Sequence, residues 1–566
     1  NVLAAAGLLL ALDADEAELR AQACKCFPEV DYPEIAPRLI RLLKDESPRV
    51  RFHAAQALGR MKVAEAVRPL LDLLHENDDQ DGHLRAAVAI ALARIGKVDP
   101  LVNAAGALSV PVRRGAVVAL RRLQHPDIAQ FLRDSDPAVL YEAARAITEA
   151  PIPQAFPQLA LLAQRRELPE PVWQHVLFAN FAVGGPLEAE VVAGVAARTD
   201  LPKAVRAEAI RMLRHWAKPS GRDWITGLWR PLGERPADGV IAAATLRLPF
   251  WLTGPMELAE EAAQLAGTYR IEAARPLLIQ LLTEPDRPAK SRVLLVQALA
   301  ALPGAETTAS LTRLLADRQA EVRAAARTAL ARLDAAAVLP VLQETLERGE
   351  LVEQQAAAAL LGELPNAADL LAEWLMRLEA GRVPVGLRLD LLEAARRRKE
   401  PAIQKLVETV GAVRDSKDEL APYRDCLTGG DAERGRKLFL KTELSCVRCH
   451  KLAGEGGEVG PDLTQIGKQH PREYLLEALV LPNAKIATGF ETVVILLTNG
   501  KVVTGVLKQE TETELKLLTA EAEPVTVKKA DIEERKSGAS TMPADLMQHI
   551  SLLELRDLVE YLSSLK

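Results

Sequence analysis

One sequence motif recurs along the first 410 residues and constrains the fold more than any other feature of the sequence. "LLKDESPRVRFHAAQALGRM" at residues 42–61 returns as "LLADRQAEVRAAARTALARL" at residues 314–333, with weaker copies between them. Each copy runs from an apolar helix through an Asp-containing turn and Val-Arg into a second helix. Apolar residues at i, i+3, i+4 and i+7 give each helix one apolar stripe, which a single pair cannot bury. Stacked pairs bury these stripes in a continuous core, so the pattern predicts an α-solenoid over residues 1–412.

The repeated sequence motif resembles the HEAT repeat. That resemblance implies that Asp45, Arg51, Asp317 and Arg323 bond along the stack. A basic groove for nucleic acid is the alternative, but each of these Arg residues has acidic neighbours. The net charge of −6 also provides no overall attraction for nucleic acid. We therefore expect protein–protein contacts through the solenoid and no nucleic-acid partner.

The composition of the chain suits stacked small helices better than a compact enzyme. Only 4% of the 566 residues are aromatic, which is low for a globular enzyme. No stretch of about 20 apolar residues occurs, so no transmembrane span is predicted. The five cysteines are too few and too unevenly placed for a disulfide framework; they are Cys24, Cys26, Cys426, Cys446 and Cys449.

The repeat pattern breaks near residue 413. "RDSKDELAPYRDCLTGGD" at 414–431 is polar and contains Pro and paired Gly, a composition typical of linkers. The sequence thus predicts a linker over 413–429, with Cys426 as a lone thiol in it, and a second domain over 430–566.

The second domain contains "CVRCH" at 446–450. The pattern C-x-x-C-H indicates c-type haem attachment, because two thiols can add across the two haem vinyl groups and hold the ring covalently. Cys446 and Cys449 would form the thioethers, and His450 would be the proximal iron ligand. A zinc site would need a second Cys/His pair at ligand spacing, and a thioredoxin-like dithiol would follow a strand without this histidine.

The residues around this motif resemble a class I cytochrome c at four points. Gly435 and Phe439 lie one turn apart in a helix before the motif, and "VGPDLTQIG" follows it. "STMPADL" contains Met542-Pro543, and "SLLELRDLVEYLSSL" at 551–565 is an amphipathic helix with a capping box formed by Ser551 and Glu554. The last helix should pack Leu558 and Tyr561 on Gly435 and Phe439.

The resemblance to class I cytochromes also implies roles for two of these residues. The Pro461 carbonyl should accept the ring N–H of His450, which fixes the tautomer of the ligand. Met542 should be the distal iron ligand. Three other residues stay open as distal ligands: Met547, His470 and His549.

The distance from His450 to Met542 exceeds what a small cytochrome needs. The surplus is a β-patterned insertion over 483–537. Asn499-Gly500 between apolar runs predicts a two-residue hairpin turn, and about five short strands suggest a small barrel-like segment or a curled sheet. The ends of the insertion, near Asn483 and Ser537, should lie close together so that the cytochrome core can close.

The whole layout of the last 137 or so residues resembles the haem-binding domain family of the Pirellula/Verrucomicrobium type. Members often follow helical repeats, with a β-propeller resembling sugar dehydrogenases further upstream. This chain shows no such propeller pattern. The resemblance also implies a periplasmic or other extracytoplasmic location, because haem attachment in this class occurs outside the cytoplasmic membrane.

Together these features predict a mainly α protein: a HEAT-like solenoid followed by a class I cytochrome c domain with the inserted β segment. We expect an electron carrier rather than an enzyme, with one covalent haem c whose iron is held by His450 and Met542. Its partners would be a dehydrogenase donor, fused upstream or docked on the solenoid, and a downstream acceptor. The alternatives are a scaffold in which the haem is incidental, or a haem-based sensor of a small ligand.

Overall fold

The structure is a computed structural model that describes residues 2–30, 32–412, 418–441, 444 and 446–566. The first part of the predicted linker, 413–417, lies outside the described residues. The chain divides into two compact units, Asn1–Pro303 and Gly304–Lys566. Within the described ranges, no helix is both long enough and apolar enough to cross a membrane.

The N-terminal unit is built from short helices, most of them joined by short connections. The helices are α1 (Val2–Ala11), α2 (Ala17–Cys26), α3 (Ala36–Leu42), α4 (Pro48–Arg60), α5 (Val67–Asn77), α6 (Gly82–Ile95), α7 (Val98–Asn103), α8 (Val110–Leu123), α9 (Pro137–Glu149), α10 (Phe156–Ala160), α11 (Glu170–Val183), α12 (Pro186–Ala197), α13 (Lys203–Arg214), α14 (Asp238–Leu252), α15 (Met256–Thr268), α16 (Arg275–Leu282) and α17 (Ala289–Ala300). A longer irregular segment lies between α13 and α14.

Helix α4 shows why these residues form a stack. It begins at Pro48, where the missing N–H costs nothing at a first helical position. Its buried face includes Val50, Ala54, Ala57 and Leu58, at the spacing that keeps one side of a helix apolar. That face packs between α2 and α6, and α6 in turn packs on α8. The predicted solenoid arrangement is therefore present, and the chain as a whole is mainly α.

Ion pairs link successive repeats, although not through every residue that the HEAT resemblance implied. Asp45 accepts two hydrogen bonds from the guanidinium of Arg20 in the preceding repeat, at 2.8 and 2.9 Å. Arg51 instead donates to the backbone carbonyl of Asp45 in its own turn, at 2.8 Å. In the C-terminal unit, Arg323 reaches forward to Glu353 of the next repeat, at 3.0 and 2.6 Å. Arginine from one repeat thus pairs with an acid of the next.

The C-terminal unit contains the last repeats and the predicted cytochrome region. Its helices are α18 (Ala305–Leu314), α19 (Ala320–Leu333), α20 (Ala335–Arg348), α21 (Leu351–Glu363), α22 (Ala368–Glu379), α23 (Val385–Arg396), α24 (Pro401–Ala412), α25 (Ala432–Phe439), α26 (Cys446–Cys449), α27 (Ile466–Gln469), α28 (Arg472–Val480) and α29 (Leu552–Ser564). Its strands are β1 (Lys451–Leu452), β2 (Glu455–Gly456), β3 (Thr492–Leu497), β4 (Val502–Glu510), β5 (Glu514–Leu518), β6 (Pro524–Lys528) and β7 (Ile532–Ser537).

Helix α29 is the central element of the cytochrome region. Its capping box forms as predicted, with the Ser551 hydroxyl accepting from the Glu554 N–H and the Glu554 carboxylate accepting from the Ser551 N–H. It crosses α25 so closely that a Cβ on Gly435 would lie 2.0 Å from the Asp557 carbonyl oxygen. The rings of Phe439 and Tyr561 meet at 5.7 Å. The predicted packing of these two helices is confirmed.

Part of the predicted linker is structured. Residues Ala421–Leu427 form a short 3-10 helix, and Cys426 is buried there. The Cys426 thiol donates to the Leu552 carbonyl at the start of α29, with 3.3 Å between sulfur and oxygen. This segment therefore belongs to the core of the C-terminal unit.

The β insertion is an open antiparallel sheet with the order β6-β5-β4-β3-β7. Of the two forms expected from the sequence, the closed barrel is wrong: in residues 446–566, all of which the structure describes, the outer strands β6 and β7 do not pair. Charged side chains along β7 and Pro524 at the start of β6 suit exposed edges. The sheet has an apolar core of its own, formed by Val493, Ile495, Val503, Leu515, Leu517 and Val527.

The predicted hairpin between β3 and β4 is present, but its turn is longer than two residues. Gly500 donates to the Leu497 carbonyl at 2.8 Å, and Leu497 donates to the Lys501 carbonyl at 2.9 Å. Gly500 has a φ of +80°, in the left-handed region that favours glycine. The connection therefore has three residues and a glycine bulge.

Candidate cofactor site

The two motif cysteines lie at the ends of one helical turn. Helix α26 runs from Cys446 to Cys449, and the His450 N–H continues the turn by donating to the Cys446 carbonyl at 3.0 Å. Both cysteines are free and partly exposed. Burial raises the pKa of both thiols, so at neutral pH each is mainly protonated.

His450 is hydrogen-bonded to the carbonyl that the resemblance to class I cytochromes implied. Its Nδ1 lies 2.9 Å from the Pro461 oxygen. A carbonyl only accepts, so Nδ1 carries the hydrogen and Nε2 keeps a lone pair for a metal. Burial lowers the pKa of His450, and the hydrogen bond to Pro461 opposes that effect only in part. The neutral imidazole is therefore the favoured form.

Glycines in the loop after His450 let the backbone pack directly against the motif. Gly457 donates to the Val447 carbonyl at 3.0 Å, and Gly460 donates to the Cys449 carbonyl at 2.7 Å. A Cβ on Gly460 would lie 2.6 Å from Cε1 of His450. Sequence reasoning did not assign these glycines a role. The run "GEGGEVGP" was the signal that could have identified them.

An apolar cluster brings the motif together with residues distant in sequence. Its buried centre comes from α25, α28 and α29 and includes Leu438, Phe439, Leu476, Leu555 and Leu558. Cys446 and Met542 both pack, partly buried, against this cluster. The predicted distal ligand and a predicted attachment residue therefore contact the same apolar cluster.

The alternative distal ligands lie in different settings. Met547 packs on the same cluster as Met542, so burial alone does not separate the two methionines. His470 stacks on Tyr474, with 3.9 Å between ring centroids. His549 is exposed, and its Nε2 lies 3.5 Å from a carboxylate oxygen of Asp545. The assignment of Met542 therefore stays a prediction.

A cavity of about 310 Å³ adjoins the cluster. Its lining consists of Leu438, Lys441, Leu444, His549, Ile550 and Glu554. Three of these residues are apolar and also belong to the cluster or pack against it. The other three are polar or charged.

These features suit a haem attached through two thioethers. Two free thiols stand one turn apart, and the next residue is a histidine whose Nδ1 is already bonded. The glycine loop leaves no room for side chains between the backbone and that imidazole. The adjacent cluster is apolar, as a porphyrin face requires.

Solved structures that match this chain have low identity to it and low TM-scores. A structure of the karyopherin Kap121p bound to Nup53p is 14% identical and has a TM-score of 0.45, covering 74% of this chain and 48% of Kap121p. Human deoxyhypusine hydroxylase in complex with glycerol is 18% identical, with a TM-score of 0.19 and coverage of 57% and 93%. At these scores the similarity carries no argument about function. A comparison with curated proteins finds no match.

Two family models match separate parts of the chain. The model for HEAT repeats matches residues 5–93, and the model for cytochrome c matches residues 432–496. The second match includes Cys446, Cys449, His450 and Pro461, and it ends within β3, before Met542. The chain therefore carries HEAT repeats in its N-terminal part and a cytochrome c domain in its C-terminal part.

Proposed function

We propose that this protein is an electron carrier with one covalent haem c in the domain over 430–566. The hydrogen bond between His450 and Pro461 is the observation that carries the proposal. It lies directly beside two free thiols at c-type spacing and leaves Nε2 of the histidine available. That combination is what covalent haem attachment with an axial histidine requires.

Each residue of the site has one task in this proposal. Cys446 and Cys449 form the thioethers, His450 is the proximal ligand, and Met542 is the distal ligand. The Pro461 carbonyl holds the imidazole in one tautomer and raises its basicity as a ligand. A haem held in this way supplies a one-electron couple, and methionine as second axial ligand raises its potential.

The surroundings support electron transfer rather than chemistry on a substrate. His450 and Met542 would hold the iron from this chain's own side chains and would leave no position open for a substrate. The side chains of Cys446 and Met542 both pack against an apolar cluster, the kind of surface that suits a porphyrin. Little rearrangement is then needed when the oxidation state changes.

We further propose that the redox partners are proteins, with a dehydrogenase as donor and a separate downstream acceptor. The donor would be fused upstream or docked on the solenoid, because HEAT repeats offer extended surfaces for protein partners. An extracytoplasmic, for example periplasmic, location goes with this proposal, since haem attachment of this class takes place there.

Denaturing electrophoresis with a haem stain tests the attachment. The wild-type band should stain, and a Cys446→Ala, Cys449→Ala double variant should not, because both thioethers are then lost. Cys26→Ala is the matched control, since Cys26 is an exposed free cysteine of the other unit. Haem colour that persists in the double variant would contradict covalent attachment.

The stacked repeats favour a scaffold as the second candidate function, in which the solenoid organises partners and the haem is incidental. A haem-based sensor would differ in ligand access to the iron. Carbon monoxide should bind the reduced wild-type protein slowly if Met542 is a stable ligand. Rapid binding would favour the sensor.

A further inference from the structure

Met542 lies in a segment of irregular backbone, residues 538–545, which we call the strap. It runs from the end of β7 at Ser537 to the turn that starts at Leu546. Such a segment lacks the repeating hydrogen bonds of a helix or strand. A methionine has three rotatable side-chain bonds and is flexible itself. The position of the sulfur therefore depends on what ties the strap to the rest of the domain.

One hydrogen bond connects the strap to the far end of the insertion, and a second lies within the strap. The Ser540 N–H donates to Oδ1 of Asn483 at 2.8 Å, and the Met542 N–H donates to the Ser540 hydroxyl at 3.2 Å. Because the Ser540 donor is a backbone N–H group, Asn483 must present its carbonyl oxygen to it. The chain of bonds thus runs from Asn483 to the backbone of Met542 itself.

The backbone at Asn483 is held in place by the packing of α28 and by a hydrogen-bonded turn. Asn483 follows α28, whose Leu475, Leu476 and Leu479 lie in the buried apolar cluster, and the adjacent Pro482 is buried. A turn closed by the Ala484 N–H and the Leu481 carbonyl, 2.9 Å apart, fixes the backbone around it. The Asn483 side chain itself is exposed, so its replacement does not open the core.

We propose that Asn483 is a positioning residue for the distal ligand: through Ser540 it clamps the strap that presents Met542. The proposal rests on the proposed function, since it concerns the ligand that Met542 would supply. Without the clamp the strap samples more conformations, and the sulfur is detached from the iron for a larger share of the time. The reduction potential then falls, because methionine ligation is what raises it.

The test compares four variants of the full haem-loaded chain. Asn483→Ala removes the acceptor, whereas Asn483→Asp keeps a carboxylate oxygen in its place. Asn499→Ala is the matched control, because Oδ1 of Asn499 accepts from the Lys501 N–H at 3.0 Å in a similarly exposed turn away from the strap. Met542→Ala removes the ligand itself. The readouts are the sulfur-to-iron charge-transfer band of the ferric protein, the reduction potential, and the rate of carbon monoxide binding to the reduced protein.

Asn483→Ala should weaken the charge-transfer band, lower the potential and speed carbon monoxide binding about fivefold, the effect of one hydrogen bond of about 1 kcal/mol. Asn483→Asp and Asn499→Ala should behave like the wild type. If Asn483→Ala matches the wild type in all three readouts while Met542→Ala loses the charge-transfer band, Asn483 does not position the ligand. The proposed ligation by Met542 then stands. If Met542→Ala keeps the band, the ligation is wrong and the clamp proposal falls with it.

Discussion

Arg556 of α29 and Asp390 of α23 form a buried bidentate ion pair, with nitrogen–oxygen distances of 2.7 and 3.1 Å. The two residues are 166 positions apart, one in the last helix and the other in a repeat helix. Burial raises the pKa of Asp390, and the charge of Arg556 opposes this. Such a pair typically adds little net stability, because the cost of removing both charges from water offsets their attraction.

Asp390→Ala should destabilise the C-terminal unit strongly. The substitution leaves the Arg556 guanidinium buried without its counter-charge, which typically costs about 3–5 kcal/mol in the free energy of unfolding. Urea unfolding followed by far-ultraviolet circular dichroism measures the effect. Glu344→Ala is the control, because Glu344 and Arg348 form an exposed pair of the same unit, worth no more than about 1 kcal/mol. Equal losses in the free energy of unfolding of Asp390→Ala and Glu344→Ala would show that the buried pair matters no more for stability than an exposed one.

A second variant separates the lost charge from the lost contact. Replacing both partners with apolar residues of similar volume, Arg556→Met with Asp390→Leu, removes the uncompensated charge. The double variant should be considerably more stable than Asp390→Ala. A double variant as unstable as the single one would mean that the hydrogen bonds themselves hold the two elements together.

The contact between Arg556 and Asp390 is an example of a feature that the sequence did not predict. Periodic apolar stripes predicted the helices of the repeats, and the capping box of Ser551 and Glu554 predicted the start of α29. Both are local patterns. Which distant helices meet depends on the packing of the whole unit, and no local spacing encodes it.

His175 should make the stability of the N-terminal unit depend on pH. It is buried in α11, its Nδ1 lies 2.8 Å from the Thr148 hydroxyl, and burial lowers its pKa to about 4. An unfolded chain binds the proton near pH 6.5, whereas the folded protein resists it until about pH 4. The contribution of the neutral His175 to the free energy of unfolding is therefore fully present above about pH 6.5. It is lost as the pH drops to 4, by up to about 3 kcal/mol.

Urea midpoints between pH 7 and pH 4 measure this effect against a His175→Gln variant. Glutamine keeps hydrogen-bonding capacity but does not titrate, so the variant should lose stability less steeply on acidification. Two other histidines of the unit, His53 and His215, also have a pKa lowered mainly by burial, so some pH dependence should remain. Parallel curves for the two proteins would contradict the assignment to His175.

Replacing residues 489–536 with a short Gly/Ser linker should leave haem attachment intact. The sheet has its own apolar core, separate from the cluster beside Cys446. The bond between Asn483 and Ser540 lies outside the replaced segment and can still join its two ends. Haem staining and the optical spectrum of the variant should match the wild type. Loss of the low-spin spectrum would mean that the strands help to build the haem pocket.

The insertion illustrates a second limit of the sequence. Alternating apolar residues predicted the strands, and Asn499-Gly500 predicted a hairpin, yet the turn has three residues and the sheet stays open. Alternation specifies which face of a strand is buried, but not whether the outer strands meet. At the candidate site, the spacing of Cys446, Cys449 and His450 predicted the attachment motif, whereas the hydrogen bond from His450 to Pro461 was anticipated only from the resemblance to class I cytochromes.

The central claim is that one haem iron is held by His450 and Met542, and the optical spectra of two methionine variants test it most directly. Met542 and Met547 pack on the same apolar cluster, so each variant is the control for the other. Met542→Ala should abolish the sulfur-to-iron charge-transfer band of the ferric protein and open the reduced iron to carbon monoxide, because the thioether ligand is gone. Met547→Ala should do neither. The opposite pattern, or an unchanged band in both variants, would contradict the assignment of Met542 as the axial ligand.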